Sequence, residues 1–182
     1  MFKASSTALG VLLLVAVTAC GSGSSDKNGT APLSKDEKTA VTSLEKAFTS
    51  STTGALTATE AKCTATKFVS SVGIAKLKSA KLLDDKLQIN TAGSPTFDAA
   101  TSGKFADALL GCVKYQARLA QETAKSDTTI DATKFQACLE KELPNSLVKQ
   151  MLVAEQTQSK DAATIGQQGT KAMTDCKAQA KK

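Results

Sequence analysis

The chain of 182 residues contains no histidine and no tryptophan, and only one arginine (Arg118) and one tyrosine (Tyr115). Each of these gaps closes a class of function. Histidine is the commonest general base and metal ligand near neutral pH. Without it Ser-His-Asp and Cys-His catalysis are excluded, and catalytic zinc and haem lose their usual ligand. Six phenylalanines and one tyrosine are all the aromatics present. They offer bases little to stack on, so nucleic acid is not an expected partner. Long apolar runs are missing as well. The strongest, Leu9 to Val17, is well short of the roughly 20 residues a spanning helix needs, and no later stretch approaches that length.

That short run has the anatomy of a secretory signal. Lys3 precedes it, and the small residues Thr18 and Ala19 follow it. It then stops at Cys20 and passes at once into Gly21-Ser22-Gly23-Ser24-Ser25. Val17-Thr18-Ala19-Cys20 resembles the lipobox of bacterial lipoproteins, with Val17 and Thr18 as ordinary variants of its commonest form. The resemblance implies that residues 1–19 are removed as a signal peptide and that the Cys20 thiol is diacylglycerylated. The protein would then be lipid-anchored on the extracytoplasmic face of the cell membrane, with the membrane as its first partner. The glycines and serines suit a flexible tether over residues 20–33, which leaves 34–182 as the folded domain.

The chain carries 23 basic and 17 acidic residues, a net charge of +6, and loss of Lys3 leaves +5. The lysines are scattered. They suit solvated helix faces, or attraction to anionic lipid headgroups or an acidic wall polymer. Beyond Cys20 stand Cys63, Cys112, Cys138 and Cys176. An even number in an exported chain suggests two disulfides. No pair has C-x-x-C spacing, so no metal and no cofactor is expected.

Strand-like alternation is missing, while Ala, Leu, Lys, Glu and Gln recur at helical spacing, which predicts an all-α bundle. Ser34-x-x-Glu37 and Thr57-x-x-Glu60 are capping boxes. They start a helix running to about Ser50, with Val41, Leu44 and Phe48 on one face, and a second running to Val72, ended by Gly73. A third covers Ile74 to Leu83, and residues 88 to 103 are irregular. A long helix is then expected to about Lys125, carrying Phe105, Leu109, Cys112 and Leu119. Asp131 caps a helix from Ala132 to Leu143, and Pro144 opens another to about Gln156. The last ends near Ala180, with Gly166 and Gly169 bending or fraying its start.

Aligning the cysteines shows a faint repeat. Five, nine and fourteen residues after Cys63 come Phe68, Val72 and Leu77, and the same steps after Cys138 give Leu143, Leu147 and Leu152. The pattern suggests two similar three-helix units, about 57–125 and 131–180, after one N-terminal helix. Chance agreement among apolar positions is the other reading. Of the three connectivities open to four cysteines, the repeat favours Cys63 with Cys112 and Cys138 with Cys176. Cys112 and Cys176 lie on apolar stripes and are expected to face the core, whereas Cys63 lies opposite the stripe of its own helix.

No constellation of catalytic residues emerges. Ser-x-x-Lys occurs at Ser24–Lys27, Ser43–Lys46 and Ser146–Lys149, without the partner motifs of serine–lysine enzymes. Asp84-Asp85 and Glu140 with Glu142 read as surface charge. Gly166 to Lys171 lacks phosphate-loop spacing. Asn28-Gly29-Thr30 is a sequon in the tether. Tyr115 and Arg118, three apart on one helix, offer one wall of a small ligand site with Arg118 taking an anion, or else a packing pair. The expected function is a non-catalytic binding or interaction module that meets another envelope protein, a wall polymer or anionic lipid. An extracytoplasmic enzyme of unseen chemistry and a carrier of a small apolar ligand are the alternatives. Non-reducing peptide mapping tests the repeat directly. It should join the peptides of Cys63 and Cys112, whereas a Cys112–Cys138 peptide would overturn both pairing and repeat.

Overall fold

The computed structural model describes residues 32–51, 55–92 and 94–182. The signal segment, Cys20, Ser24–Lys27, Asn28-Gly29-Thr30 and most of the tether lie outside them. The described residues form an all-α bundle of eight helices, with two isolated β-bridges and no strand.

Helices α1 (Lys35–Ser50) and α2 (Ala58–Val72) begin at the two capping boxes. Ser34 and Thr57 each accept from the third residue of the helix, whose glutamate accepts in return from the cap's N–H. Gly73, at φ +80°, ends α2 and opens the short α3 (Ile74–Ser79). That left-handed backbone is open to glycine at little cost. Asp98 caps α4 (Ala99–Leu110), and Asp131 caps α6 (Ala132–Glu142). Between them lies α5 (Tyr115–Ser126). Pro144 is the N-cap of α7 (Asn145–Gln156), and α8 spans Ala162–Gln179.

Three expectations need correction. The long helix to Lys125 is two helices, α4 and α5, because the chain turns at 111–114. There the Gly111 carbonyl accepts from Lys67 Nζ at 2.9 Å, while Cys112 is bonded to Cys63. These tertiary partners outweigh a periodicity that runs on through a residue of low helix propensity. Helix α3 stops at Ser79 rather than Leu83, since the Leu82 N–H turns back to the Leu77 carbonyl. Finally, α8 runs unbroken through Gly166 and Gly169. Gly169 is a close-packing site: a Cβ there would lie 2.5 Å from Met151 Cε on α7.

Helices α2 and α4 lie side by side and antiparallel. Lys104 near the start of α4 donates to the Ser71 carbonyl near the end of α2, and Lys67 donates to Gly111 just beyond α4. Disulfides join Cys63 to Cys112, with Cα atoms 5.7 Å apart, and Cys138 to Cys176, 5.4 Å apart. Helix α2 starts where its capping box puts it, and half-buried Cys63 reaches sideways off the stripe to the turn after α4. Cys176 is buried in the core, but Cys112 is only half-buried because it sits in that turn and not on a helix face.

Packing also pairs α1 with α2, α5 with α6, α6 with α8, α4 with α7 and α7 with α8. The helix of 115–126, drawn from the sequence as the end of a first unit, thus packs on α6. A four-helix division, α1–α4 and α5–α8, describes the bundle better. In both halves the first helix packs on the second, and a disulfide joins the second to the fourth or the turn after it. The third helices differ, at 6 residues for α3 and 12 for α7.

The two glycines of α8 should respond differently to substitution. Gly166 has nothing within 4 Å of an added Cβ, so Gly166→Ala should stabilise the fold by about 0.5–1 kcal/mol through helix propensity. That corresponds to roughly 1–4 °C in melting temperature for a chain of this size. Gly169→Ala must first turn the flexible end of the Met151 side chain aside, so its gain should be smaller than that of Gly166→Ala. Thermal melts of both variants check the contrast.

Candidate functional site

Arg118 is committed inside the fold. Its Nε donates to Glu122 Oε1 at 3.0 Å, its Nη1 to Glu60 Oε2 at 3.3 Å, and its Nη2 to the Ala55 carbonyl. Glu60 Oε2 also accepts from the N–H and hydroxyl of Thr57, at 2.9 and 2.8 Å. One guanidinium therefore ties α5 to the capping box that starts α2. An anion would have to displace Glu60 or Glu122 to reach it. Tyr115 is half-buried against the core. Burial pushes its phenol above the ordinary value, with Glu122 and Glu155 adding to the effect. The two residues share a helix, but neither lines the cavities described below.

The other sequence candidates also have structural employment. Lys149 donates to both Asp107 oxygens at 2.7 Å, joining α7 to α4, while Ser146 is exposed. On α1, Ser43 is buried and Lys46 exposed. Asp84 accepts from the N–H groups of Lys86 and Gln88, and Asp85 pairs with Lys78 at 3.7 Å. Glu140 accepts from Gln136, and Glu142 pairs with Lys141. Among the described residues no group of three or more His, Cys, Asp or Glu could hold a metal ion, and no helix is long and apolar enough to cross a membrane.

Two concave features stand out. An open groove beside the first disulfide is lined by Glu45 of α1 and by Ala58, Thr59, Lys62 and Cys63 of α2. The second is a small cavity of about 40 Å³ lined by Phe48, Phe68, Leu82, Pro95, Phe97, Phe105 and Gln156. Phe105 stands 5.1 Å from Phe68 and 6.0 Å from Phe48 between ring centroids, and Phe97 meets Phe68 edge-on at 6.1 Å. One buried polar atom lies in this apolar wall. Gln156 Oε1, at the end of α7, is shielded from solvent and has no hydrogen-bond partner among the described residues.

The chain matches no protein-family model, and neither the curated proteins nor the solved structures contain a match to it. Its function must be argued from its own residues.

The connection between α3 and α4 forms one rim of the cavity, and it is held at several points. The Thr96 N–H donates to the Ala80 carbonyl at 3.0 Å, the Asn90 N–H to Leu82, and Lys76 pairs with Asp98 at 2.6 Å. Within it Leu82, Leu83 and Leu87 are buried. The sequence placed Phe48 and Phe105 on apolar helix faces and Phe68 in the cysteine-aligned repeat, but gave no place to Phe97 or Gln156. A Pro-x-Phe in an otherwise polar irregular stretch, Pro95-Thr96-Phe97, is the one signal that pointed to Phe97. Nothing local marks Gln156, because its burial depends on where α7 ends against α4.

Asp98 gives the fold a dependence on acid. Its bonds to Lys76 and to the Thr101 N–H hold its carboxyl well below the usual carboxylate range. Asp127, through Thr129, and Asp131, through the Lys134 N–H, are also lowered. A carboxylate with a depressed folded pKa contributes fully above its unfolded value, about 3.9, and loses that contribution as pH falls further. Stability should therefore fall between about pH 4 and pH 2. Asp98→Asn keeps a capping side chain but loses the charge, so its urea midpoint should vary less over that window. Parallel titrations of wild type and variant check this.

Proposed function

We propose that the protein is a cell-envelope lipoprotein, anchored on the extracytoplasmic face by a diacylglyceryl group on Cys20, and that its helical domain is a non-catalytic binding or interaction module. The observation that carries the reading is Val17-Thr18-Ala19-Cys20 at the end of a short apolar run, followed directly by a glycine–serine tether. Two disulfides in the helical domain agree with an oxidising compartment. The non-catalytic half draws support from residues already spent: Arg118 on Glu60 and Glu122, and Lys149 on Asp107. The partners proposed are the membrane, through the lipid, and an envelope protein, wall polymer or anionic headgroup that meets the positively charged surface.

A diacylglyceryl group supplies two chains, enough for stable anchoring where a single chain binds only weakly. Cys20→Ala should move the protein out of the detergent phase in a partitioning assay and leave it uncleaved or released. Wild-type protein recovered wholly soluble, with an N-terminus other than Cys20, would defeat the assignment.

A further inference from the structure

We propose that Cys63–Cys112 is an exchangeable disulfide, whose Cys63 sulfur accepts a small thiol from the groove between α1 and α2, while Cys138–Cys176 is a fixed structural bridge. Three observations support the distinction. Cys63 lines the open groove together with Glu45, Ala58, Thr59 and Lys62, whereas no residue of the turn that carries Cys112 does. A thiol entering there reaches Cys63 and not Cys112. The two bridges also differ in exposure. Cys63 and Cys112 are both half-buried, but Cys176 is 0 % exposed within the core. Exchange requires access to a sulfur, and exposed bridges are the labile ones.

Lys67 is the third observation. It stands four residues after Cys63 on α2, and its ammonium donates to the carbonyl of Gly111, the residue before Cys112, at 2.9 Å. Among the described residues it pairs with no carboxylate. The cation is therefore available to balance a thiolate at Cys112, and it offsets the negative end of α4 beside it. A leaving thiolate of lower pKa departs faster. In the exchange the entering thiolate bonds to Cys63 Sγ and the bond to Cys112 breaks. Its electron pair leaves on Cys112 Sγ, which solvent then protonates. A second thiol attacks the entering group's sulfur in the mixed disulfide and frees Cys63. Two thiols are thereby oxidised to one disulfide, and the bridge is reduced to two thiols. Helices α2 and α4 stay together meanwhile, through Phe68 against Phe105 and Lys104 on the Ser71 carbonyl. The site is independent of the lipid anchor, so its test and that of Cys20 fail separately.

The full chain carrying Cys20→Ala has no cysteine outside the two bridges, which keeps the exchange readable. It is incubated with 2-mercaptoethanol at about pH 8, where part of the thiol is ionised. Samples are quenched in acid at intervals and mapped by mass spectrometry without reduction. The early product should carry mercaptoethanol on Cys63 and a free thiol at Cys112. Cys138–Cys176 should remain intact, with the helical circular dichroism unchanged, and should open at least about ten-fold more slowly. Lys67→Gln should slow the opening of the first bridge about three-fold, and Lys67→Arg, which keeps the charge, should restore the rate. Opening of both bridges at one rate, opening of Cys138–Cys176 first, or an adduct on Cys112 instead of Cys63 would overturn the proposal. An unchanged or faster opening in Lys67→Gln would overturn the role given to Lys67.

Discussion

Phe105, on the face of α4 that meets α2, stands 5.1 Å from Phe68 and 6.0 Å from Phe48, and the contacts around it determine where four helices lie. Toward α2, Lys104 reaches the Ser71 carbonyl, Lys67 reaches Gly111, and the first disulfide closes the far end. Toward α7, Lys149 grips Asp107. Burial of each ring contributes roughly 1.5–3 kcal/mol. The Lys149–Asp107 pair is 41 and 61 % exposed at its two side chains, a setting where such pairs give at most about 1 kcal/mol. The rings therefore hold α4 in place, and the ion pair sets its register against α7.

The disulfides supply what a core with few aromatics lacks. They close loops of 49 and 38 residues, each stabilising by about 4 kcal/mol in the chain-entropy model. Their positions also shape the helices. Cys112 meets Cys63 in the turn where the chain leaves α4, so the bridge and the break between α4 and α5 coincide. The lysines contribute in a related way. Lys67 and Lys104 donate to carbonyls at or just beyond helix C-termini, where cations complete unpaired acceptors and oppose the helix dipole.

With these groups occupied, the polar residues that first suggested chemistry become parts of the scaffold. Arg118 is the clearest case, its guanidinium shared between a capping box and its own helix. Three buried side-chain oxygens have no hydrogen-bond partner among the described residues: Thr64 Oγ1, Ser102 Oγ and Gln156 Oε1.

Local order was legible in the sequence because its causes are local. Ser34, Thr57, Asp131 and Gly73 begin and end helices through bonds to residues three or four away, and Val41, Leu44 and Phe48 share a face because the helical period puts them there. The cysteine pairing was reachable because the apolar steps after Cys63 and Cys138 match. Other features depend on groups far along the chain. Lys67 and Cys63 hold the chain at the turn after α4, the tip of Met151 packs onto Gly169, Glu60 claims Arg118, and Gln156 lies beside Phe48, Phe68 and Phe105. Residues within a turn of each other determined where helices start, stop and turn their apolar faces. Only contact between distant segments decided where one helix became two and which polar groups were left without a partner.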